Sequence, residues 1–401
     1  MSEWRTIRLG SACEKIGSGA TPRGGSGVYQ ATGISLIRSQ NIYNDGFKRD
    51  GLAFIGDKHA RELENVNVMP GDVLLNITGD SVARVCQVPN EILPARVNQH
   101  VAIIRPRAEI LDARFLHYFL IHPQTQAHMM GLAGAGATRN ALTKGMIEGF
   151  EINAPSISEQ RAIAEVLGAL DDKIELNRQL NKTLEAMAQT VFQSWFVEPT
   201  ATKLPKGWRE VNLPEAIEVN PSRPLRRGEV APYLDMSNMP TDSARALDFY
   251  DREFGSGMRF MNGDTLIARI TPCLENGKTC FVDFLGDKKI GWGSTEYIVL
   301  HPKHPLPEEF AYFLARTETF RSFAISNMTG TTGRQRVPAD CLKNFTIAVP
   351  PAELAEEFGR FAKSVFAQIK SHDEESRTLA ALRDTLLPKL LSGELRVPIN
   401  N

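Results

Sequence analysis

The sequence lacks the features that mark secreted, membrane-spanning and disulfide-linked proteins. Only five of its 401 residues are cysteine, and no two of them form a C-x-x-C pair. Neither a disulfide framework nor a cysteine zinc site is expected, and the thiols should be reduced. The chain also has no run of 18 apolar residues and no apolar signal core at its N-terminus. We therefore expect a cytoplasmic protein without a membrane anchor.

A large excess of charge of either sign is also missing. The 46 Lys and Arg residues against 47 Asp and Glu give a net charge of −1, which is weak support for nucleic-acid binding. Residues 1–150 carry 16 basic and 13 acidic side chains and residues 201–350 carry 19 and 18, whereas residues 151–200 carry 4 and 8. This distribution allows a basic face on each longer segment, although ordinary surface scatter would give the same numbers.

Signatures of catalysis are absent or incomplete. The Gly-Lys-Thr segment 277–279 ends like a phosphate-binding loop, but that motif needs a glycine where Pro272 stands. The Phe-Gly-Ser-Gly segment 254–257 resembles a methyl-donor loop, yet no matching Asn-Pro-Pro-aromatic motif accompanies it. The eight histidines show no metal-binding spacing. We expect no active site, metal or cofactor in this chain, and the pattern favours recognition over chemistry.

The clearest feature that is present is an internal repeat. Trp4-Arg5 recurs as Trp208-Arg209, and a long heptad-patterned stretch closes each half. Three further pairs are separated by 195 residues: Arg139 and Arg334, Phe150 and Phe345, and Pro155 and Pro350. Two lobes of one design indicate a molecule with pseudo-twofold symmetry. Duplex DNA is the commonest two-part target with matching symmetry.

The repeat predicts both the domain organisation and the fold class. The predicted segments are a first lobe over 1–155, a helix over 156–198, a linker over 199–207, a second lobe over 208–350, and a helix with a tail over 351–401. Each lobe mixes short β-type runs with helical stretches such as 112–122. The predicted class is α+β, with two mixed α/β lobes in pseudo-twofold repeat joined by two long antiparallel coiled-coil helices.

The coiled-coil prediction depends on the spacing of apolar residues. They recur every three or four positions, at Ile163, Leu167, Leu170 and Ile174 in one stretch and at Phe358, Ala362, Val365 and Ile369 in the other. Polar residues interrupt both stripes at equivalent places, at Asn177 and Asn181 and at His372 and Ser376. A 3.5-residue repeat indicates a supercoil with a partner helix, and the nearest partner is the other repeat. The alternative is a buried core helix in one compact domain.

Side chains able to contact DNA are grouped in a few segments of the first lobe. The glycine-rich loop 17–25 allows the backbone to approach a phosphate closely. Gln and Asn can bond adenine, and Arg can bond guanine. The candidates are Ser18, Thr21, Arg23, Arg38, Ser39, Gln40, Asn41, Asn98, Gln99, Arg139 and Asn140. An ordinary solvent loop or turn has the same composition, so both interpretations stay open.

The second lobe carries an answering set of candidates. They are Ser237, Asn238, Arg269, Thr271, Lys278, Thr279, Ser294, Thr295, Arg334, Gln335 and Arg336. Arg334 and Arg336 place two guanidinium groups around an amide after a Gly/Thr turn, and Arg139 follows a similar turn. Phosphate anchoring is favoured over base reading for at least one of them. The lobes agree in framework and differ in these loops, as expected if each lobe reads a different half-site.

These residues resemble the specificity subunit of type I restriction-modification systems. The strongest match begins at Ile157, where the segment ISEQRAIAEVLGALDDKIELNRQLNKTLEAMAQTVFQSWFVEP is close to the family's central conserved helix. LLPKLLSGELRV from Leu386 is similar to its C-terminal conserved segment. Shorter matches begin at Ile37 (IRSQNI), Gly71 (GDVLL), Thr271 (TPCLENGK) and Ser294 (STEY). The family's Glu-Gln at the start of each helix is present as Glu159-Gln160, but the second repeat has Glu356-Glu357.

The resemblance implies two target recognition domains, each reading one half of a split, asymmetric DNA site. The two helices would hold the half-sites a fixed distance apart and dock the partner subunits. The implied partners are double-stranded DNA, two methyltransferase subunits and two restriction subunits. S-adenosylmethionine, ATP and magnesium would belong to those partners.

Two other classes of function remain as alternatives at this stage. A fused nuclease or methyltransferase would require the nucleotide and methyl-donor motifs that are missing. A stand-alone DNA-binding regulator with two heads would bind tightly by itself, whereas the family resemblance predicts that methyltransferase subunits are needed to clamp the duplex.

Overall fold

The protein is described by a computed structural model covering residues 4–134, 140–331 and 333–398. The chain forms two compact units. The first unit contains Met1–Lys173 together with Leu379–Asn401, and the second contains Ile174–Thr378. The C-terminal segment therefore belongs to the first unit and not to the second, which a division by sequence order alone does not reveal.

Short strands and helices alternate along the first unit. Its strands are β1 Arg5–Arg8, β2 Cys13–Ser18, β3 Ile34–Ile37, β4 Ile42–Tyr43, β5 Gly46–Phe47, β6 Ala53–Ile55, β7 Asn67–Val68, β8 Val73–Asn76, β9 Val85–Gln87, β10 Ala95–Val97, β11 Val101–Pro106 and β12 Glu151–Ala154. Its helices are α1 Leu9–Ala12, α2 Asp57–Glu62, α3 Ala113–Ile121, α4 Pro123–Gly134 and α5 Lys144–Glu148. The helix predicted over 112–122 is confirmed as α3, and Asp112 caps it by accepting from two backbone N–H groups.

Two four-stranded sheets form the body of the first unit, in the orders β6-β3-β10-β7 and β2-β11-β8-β9. Strands β3 and β10 are parallel, with Ala95 opposite Ser35. Every residue of β8 is buried because both faces of its sheet are covered. Leu74 faces the other sheet, whereas Val73 and Leu75 pack with the helices. A strand buried on both faces loses the alternation of apolar and polar residues.

The second unit repeats this arrangement. Its strands are β13 Arg209–Asn212, β14 Ile217–Val219, β15 Val230–Leu234, β16 Tyr250–Glu253, β17 Met258–Phe260, β18 Thr265–Ala268, β19 Thr279–Phe281, β20 Gly291–Gly293, β21 Tyr297–Pro302 and β22 Thr346–Val349. The sheets are ordered β14-β21-β18-β19 and β16-β15-β20-β17, and β15 and β20 are parallel. The long helix α6 Ile157–Phe192 precedes these strands; α7 Leu213–Ala216, α8 Phe310–Ala315, α9 Glu318–Ser326 and the long helix α10 Ala352–Ser392 complete the chain. The predicted repeat of one design is confirmed.

A Gly-Asp pair serves the same structural purpose in both units. Gly71 and Gly263 have φ of 83° and 87°, a conformation that favours glycine. The following carboxylates are fully buried and accept a backbone N–H three residues back, Met69 to Asp72 at 2.7 Å and Met261 to Asp264 at 2.8 Å. The repeated Gly-Asp therefore builds the turn into the central strand in each unit.

The two long helices pair in antiparallel fashion within the second unit. The amide of Asn177 donates to Glu375 at 2.8 Å, and that of Asn181 donates to Asp373 at 2.8 Å. Later residues of α6 thus meet earlier residues of α10. Nearer the C-terminal end of α6, Phe192 packs on Phe358, with ring centroids 5.6 Å apart. The polar interruptions of the heptad stripe are hydrogen-bonded across the helix pair.

The same helices pair again within the first unit. Arg383 donates to Asp171 at 2.7 Å, while Leu387 and Leu390 pack in one core with Leu167. The prediction of an antiparallel helix pair is therefore confirmed in each unit.

The side chain of Gln160 is buried and bonds backbone atoms at three places around the start of α6. These bonds explain a glutamine at this position.

Residues 201–207 form no helix or strand. Among the residues that the structure describes, no helix is both long enough and apolar enough to cross a membrane. The domain boundaries predicted from sequence remain predictions, because the compact units divide both long helices.

Candidate nucleic-acid interface

In the first unit, the loops that carry the candidate residues meet where strands β3 and β10 end. The amide of Ala20 donates to Val97 at 3.0 Å, and that of Asn98 donates to Ile37 at 3.0 Å. The loop that follows β8 lies in the same region, since Ile77 N donates to His100 O at 2.9 Å. We call loops 18–23, 38–41, 77–81, 98–100 and 140–141 the first surface.

One glycine allows two of these loops to approach each other. A Cβ atom built on Gly19 would lie 2.1 Å from Val97 O and 2.3 Å from Asn98 O. No side chain fits there, because both neighbours are backbone atoms that cannot rotate away. The glycine-rich segment noted in the sequence therefore serves loop packing at Gly19.

Polar side chains project from the first surface around this junction. Ser18, Thr21, Arg23, Gln40, Gln99 and Asn140 are exposed, and Arg38 and Ser39 are half-buried. Arg38 donates to the carbonyl of Gly51 and lies 5.4 Å from the ring of Tyr29. Gln40 also donates to Gly51, at 3.2 Å. Arg139 lies outside the described residues.

Three candidate side chains are buried, which corrects the prediction that they contact DNA. Their role is structural. Asn41 is fully buried; its amide donates to Lys48 O and Asp50 O, and its oxygen accepts from Arg38 N. Asn98 is 8% exposed and its oxygen accepts from His100 N at 3.1 Å. Thr279 lies within β19 and is 3% exposed. The bonds of Asn41 and Asn98 hold the loops, and none of these three buried side chains is presented to a ligand.

The second unit brings its candidates together at the equivalent place. Lys278 Nζ donates to Met236 O at 2.6 Å, which ties the turn after β15 to the loop after β18. Thr271 N donates to Gln335 O at 3.0 Å, and Arg269 N donates to Glu296 O at 2.9 Å. We call loops 235–238, 269–278, 294–296 and 333–336 the second surface.

Exposure differs among the candidates on the second surface. Ser237, Thr295 and Arg334 are exposed, and Asn238, Arg269, Thr271, Lys278, Ser294, Gln335 and Arg336 are half-buried. The guanidinium of Arg334 has no ion-pair partner within the part of the chain that the structure describes. Arg336, in contrast, donates from Nε to Glu296 at 2.8 Å.

The second surface also carries acidic groups whose charge is compensated locally. Glu296 lies between Arg336 and Arg269, whose Nε is 3.9 Å from the second carboxylate oxygen. Ser237 donates its backbone N–H and its hydroxyl to Asp235 at 2.9 and 2.8 Å. These bonds, the backbone one first, lower the pKa of Asp235 below its usual value. Neither carboxylate is therefore an isolated negative charge.

The Gly-Lys-Thr segment does not form a phosphate cradle. The amides of Gly277 and Lys278 donate to Leu274 and Cys273 within their own loop. The amine of Lys278 is held by the carbonyls of Met236 and Ser237. Within the described ranges, no group of three or more His, Cys, Asp or Glu residues is arranged to hold a metal ion.

Sequence reasoning left His100 and Glu296 out of the candidate list. They occupy the same position in the two units, because each amide donates to the polar side chain two residues earlier, Asn98 at 3.1 Å and Ser294 at 3.0 Å. The repeat itself was the signal available in the sequence. Each residue is the last of three polar residues, and the next residue begins a strand, β11 after His100 and β21 after Glu296.

Comparison with known proteins agrees with this architecture. Residues 1–186 match the family model described as type I restriction modification DNA specificity domain. The chain is 24% identical to the specificity subunit of the type I restriction enzyme MjaIX of Methanocaldococcus jannaschii, an alignment that covers 96% of this chain and 91% of the relative. It is 22% identical to the HindI specificity subunit of Haemophilus influenzae, covering 98% of this chain and all of the relative.

A solved structure shows the same fold. The crystal structure of the type I restriction-modification system S subunit from M. genitalium superposes with a TM-score of 0.58 and 16% identity, covering 97% of this chain and 96% of the other. With the family match at residues 1–186 and the similarity to named specificity subunits along nearly the whole sequence, the chain is similar to the specificity subunits of type I restriction-modification systems.

Proposed function

We propose that this chain recognises a bipartite, asymmetric DNA site for a type I restriction-modification enzyme, with one half-site read by each unit. The observation that carries the proposal is the equivalent placement of the first and second surfaces. Both lie where a parallel strand pair ends, and both gather Arg, Gln, Asn, Ser and Thr side chains from loops distant in sequence.

The chemistry of these side chains suits duplex DNA. Exposed arginines such as Arg23 and Arg334 can bind phosphates, which positions a protein on the duplex without reading its sequence. Gln99 and Arg336 can form bidentate bonds to adenine and guanine in the major groove. Because the two surfaces share a framework but not their side chains, the proposed target is asymmetric.

The proposed partners carry the chemistry. We propose that two methyltransferase subunits and two restriction subunits assemble on this chain, and that S-adenosylmethionine, ATP and magnesium are bound by those subunits. The names of the relatives, which are specificity subunits of restriction enzymes, support this assignment. A subunit that acts on host DNA in this way would work in the cytoplasm. That the long helices set the distance between half-sites stays a prediction.

A map of methylated adenine across the host genome, with and without the gene, tests the proposal. We expect one split motif, with a short block, a gap and a second block, to lose its methylation when the gene is removed. A methylation map that is unchanged, in a host whose methyltransferase subunits are shown to be expressed, would contradict the proposal.

A further inference from the structure

We propose that His100 and Glu296 are positioning residues that determine which base each unit reads. The inference rests on the proposed function and adds a chemical assignment to it. The first surface would present the Gln99 amide to an adenine, and the second surface would present the Arg336 guanidinium to a guanine. Neither His100 nor Glu296 needs to touch DNA for this role.

The two residues are equivalent by their backbone bonds. The carbonyl of His100 accepts from Ile77 at 2.9 Å, and the carbonyl of Glu296 accepts from Arg269 at 2.9 Å. Their amides donate to Asn98 and Ser294 two residues earlier. His100 and Glu296 therefore occupy equivalent backbone positions in the two units, and their side chains differ in chemistry.

In the first unit, His100 holds the amide of Gln99. Its Nε2 lies 3.1 Å from Gln99 Nε2, and its Nδ1 lies 2.6 Å from the hydroxyl of Thr78. Because the amide nitrogen is the donor, the imidazole accepts at Nε2 and carries its hydrogen on Nδ1. Among the residues that the structure describes, none bonds the second N–H or the carbonyl oxygen of the Gln99 side chain. This donor and acceptor pair is the one that bonds N7 and the amino group of adenine.

In the second unit, Glu296 holds the side of the Arg336 guanidinium. Nε donates to the carboxylate at 2.8 Å, and Nη1 donates to the carbonyl of Arg334 at 3.3 Å. Within the described ranges, no acceptor takes the hydrogens on Nη2 or the second hydrogen on Nη1. These hydrogens lie on the terminal edge of the guanidinium, which can bond O6 and N7 of guanine at the same time.

The charge of Glu296 also fits this role. A lone carboxylate on a DNA-binding face would repel the phosphates, which dominate affinity. Glu296 is flanked by Arg336 at 2.8 Å and by Arg269 at 3.9 Å, so the cluster carries a net positive charge. An acidic residue is tolerated at this place because it orients one arginine and is neutralised by both.

The test measures base preference at single positions. The full-length chain, purified from its host with the subunits that copurify, selects duplexes from a randomised DNA library. We expect Glu296→Gln and Arg336→Lys to lower the preference for guanine at one position of one half-site about tenfold, the scale of one bidentate contact. His100→Ala should lower an adenine preference by a similar factor in the other half-site, and His100→Gln, which can still bond the Gln99 amide, should retain most of it.

Controls separate positioning from loss of structure. Glu210→Gln removes an exposed carboxylate on β13, away from the second surface, and should leave every preference unchanged. Each variant should keep the preferences of the opposite half-site and its melting temperature. Loss in both half-sites, or wild-type preferences in both Glu296→Gln and His100→Ala, would overturn the inference and leave the proposed function intact. A wild-type complex that selects no split motif would instead refute the proposed function.

Discussion

Arg245 Nη1 lies 2.6 Å from Asp373 Oδ2, and this contact joins a loop of the second unit to the helix α10. The same guanidinium donates from Nε to Asp283 at 2.6 Å. Arg245 is 2% exposed, so both bonds are shielded from water. One cation thus serves two carboxylates inside the unit.

Replacing this cation should destabilise the second unit strongly. Removal of one partner from a buried ion pair leaves uncompensated charge and costs about 3–5 kcal/mol. We expect Arg245→Met to lower the free energy of unfolding by that amount in denaturant titration. Lys343→Met is the control, because its pair with Asp340 is exposed, and it should change the free energy of unfolding far less. Equal effects of the two variants would contradict the prediction.

The stability of the first unit should depend on pH through His117. Burial is the main cause that lowers the pKa of His117 to about 4; the charge of Asp171 opposes this shift, and the charges of Arg114 and Arg383 contribute to it. In the unfolded chain the pKa is near 6.5, so between these values the unfolded state binds more protons. Stability is therefore complete above pH 6.5 and is lost as the pH falls towards 4, by about 3 kcal/mol in all.

The measurement is denaturant unfolding between pH 4 and 7.5. We expect His117→Leu to flatten this part of the pH profile, because the neutral side chain has no proton to gain. His128→Leu removes an exposed histidine from the same unit and should leave the slope unchanged. A wild-type slope in His117→Leu would show that other groups cause the pH dependence.

Adding a methyl group at Gly19 should separate the loops of the first surface. The new Cβ would lie 2.1 Å from Val97 O, so the loop has to move. We expect Gly19→Ala to cost about 2 kcal/mol or more, as overpacking does, and to weaken DNA binding by the first unit. Gly17→Ala is a matched control because no atom lies within 4 Å of its Cβ position. Equal stability of the two variants in thermal melting would refute this packing argument.

The salt dependence of DNA binding should identify a phosphate contact at Arg334. Its guanidinium is exposed and has no ion-pair partner in the described part of the chain, so it is free to bind a phosphate. We expect Arg334→Ala to reduce the slope of log K against log salt by about one. Arg209→Ala, which removes an exposed arginine from β13, should not change the slope. An unchanged slope and affinity in Arg334→Ala would remove Arg334 from the interface.

Much of the architecture was predictable because it depends on local periodicity. The heptad spacing predicted both long helices, and the repeat of Trp4-Arg5 at Trp208-Arg209 predicted two units of one design. Helix propensity and amphipathic spacing act over a few turns, so a linear pattern contains that information.

Which polar side chains face outward could not be predicted in this way. Gln40 and Asn41 are neighbours of similar chemistry, yet Gln40 is exposed while Asn41 is fully buried and bonded to backbone. A loop has no period from which to read the direction of a side chain, and only the surrounding chain decides it.

The sequence by itself determined the repeat, the long helices and the resemblance to type I specificity subunits. The tertiary structure decided that the C-terminal segment packs in the first unit, and that Glu296 meets Arg336, forty residues later along the chain. The physical reason is that such contacts are made by folding distant segments together. Their geometry is set by the packing of two sheets and their loops, and no local pattern of residues encodes it.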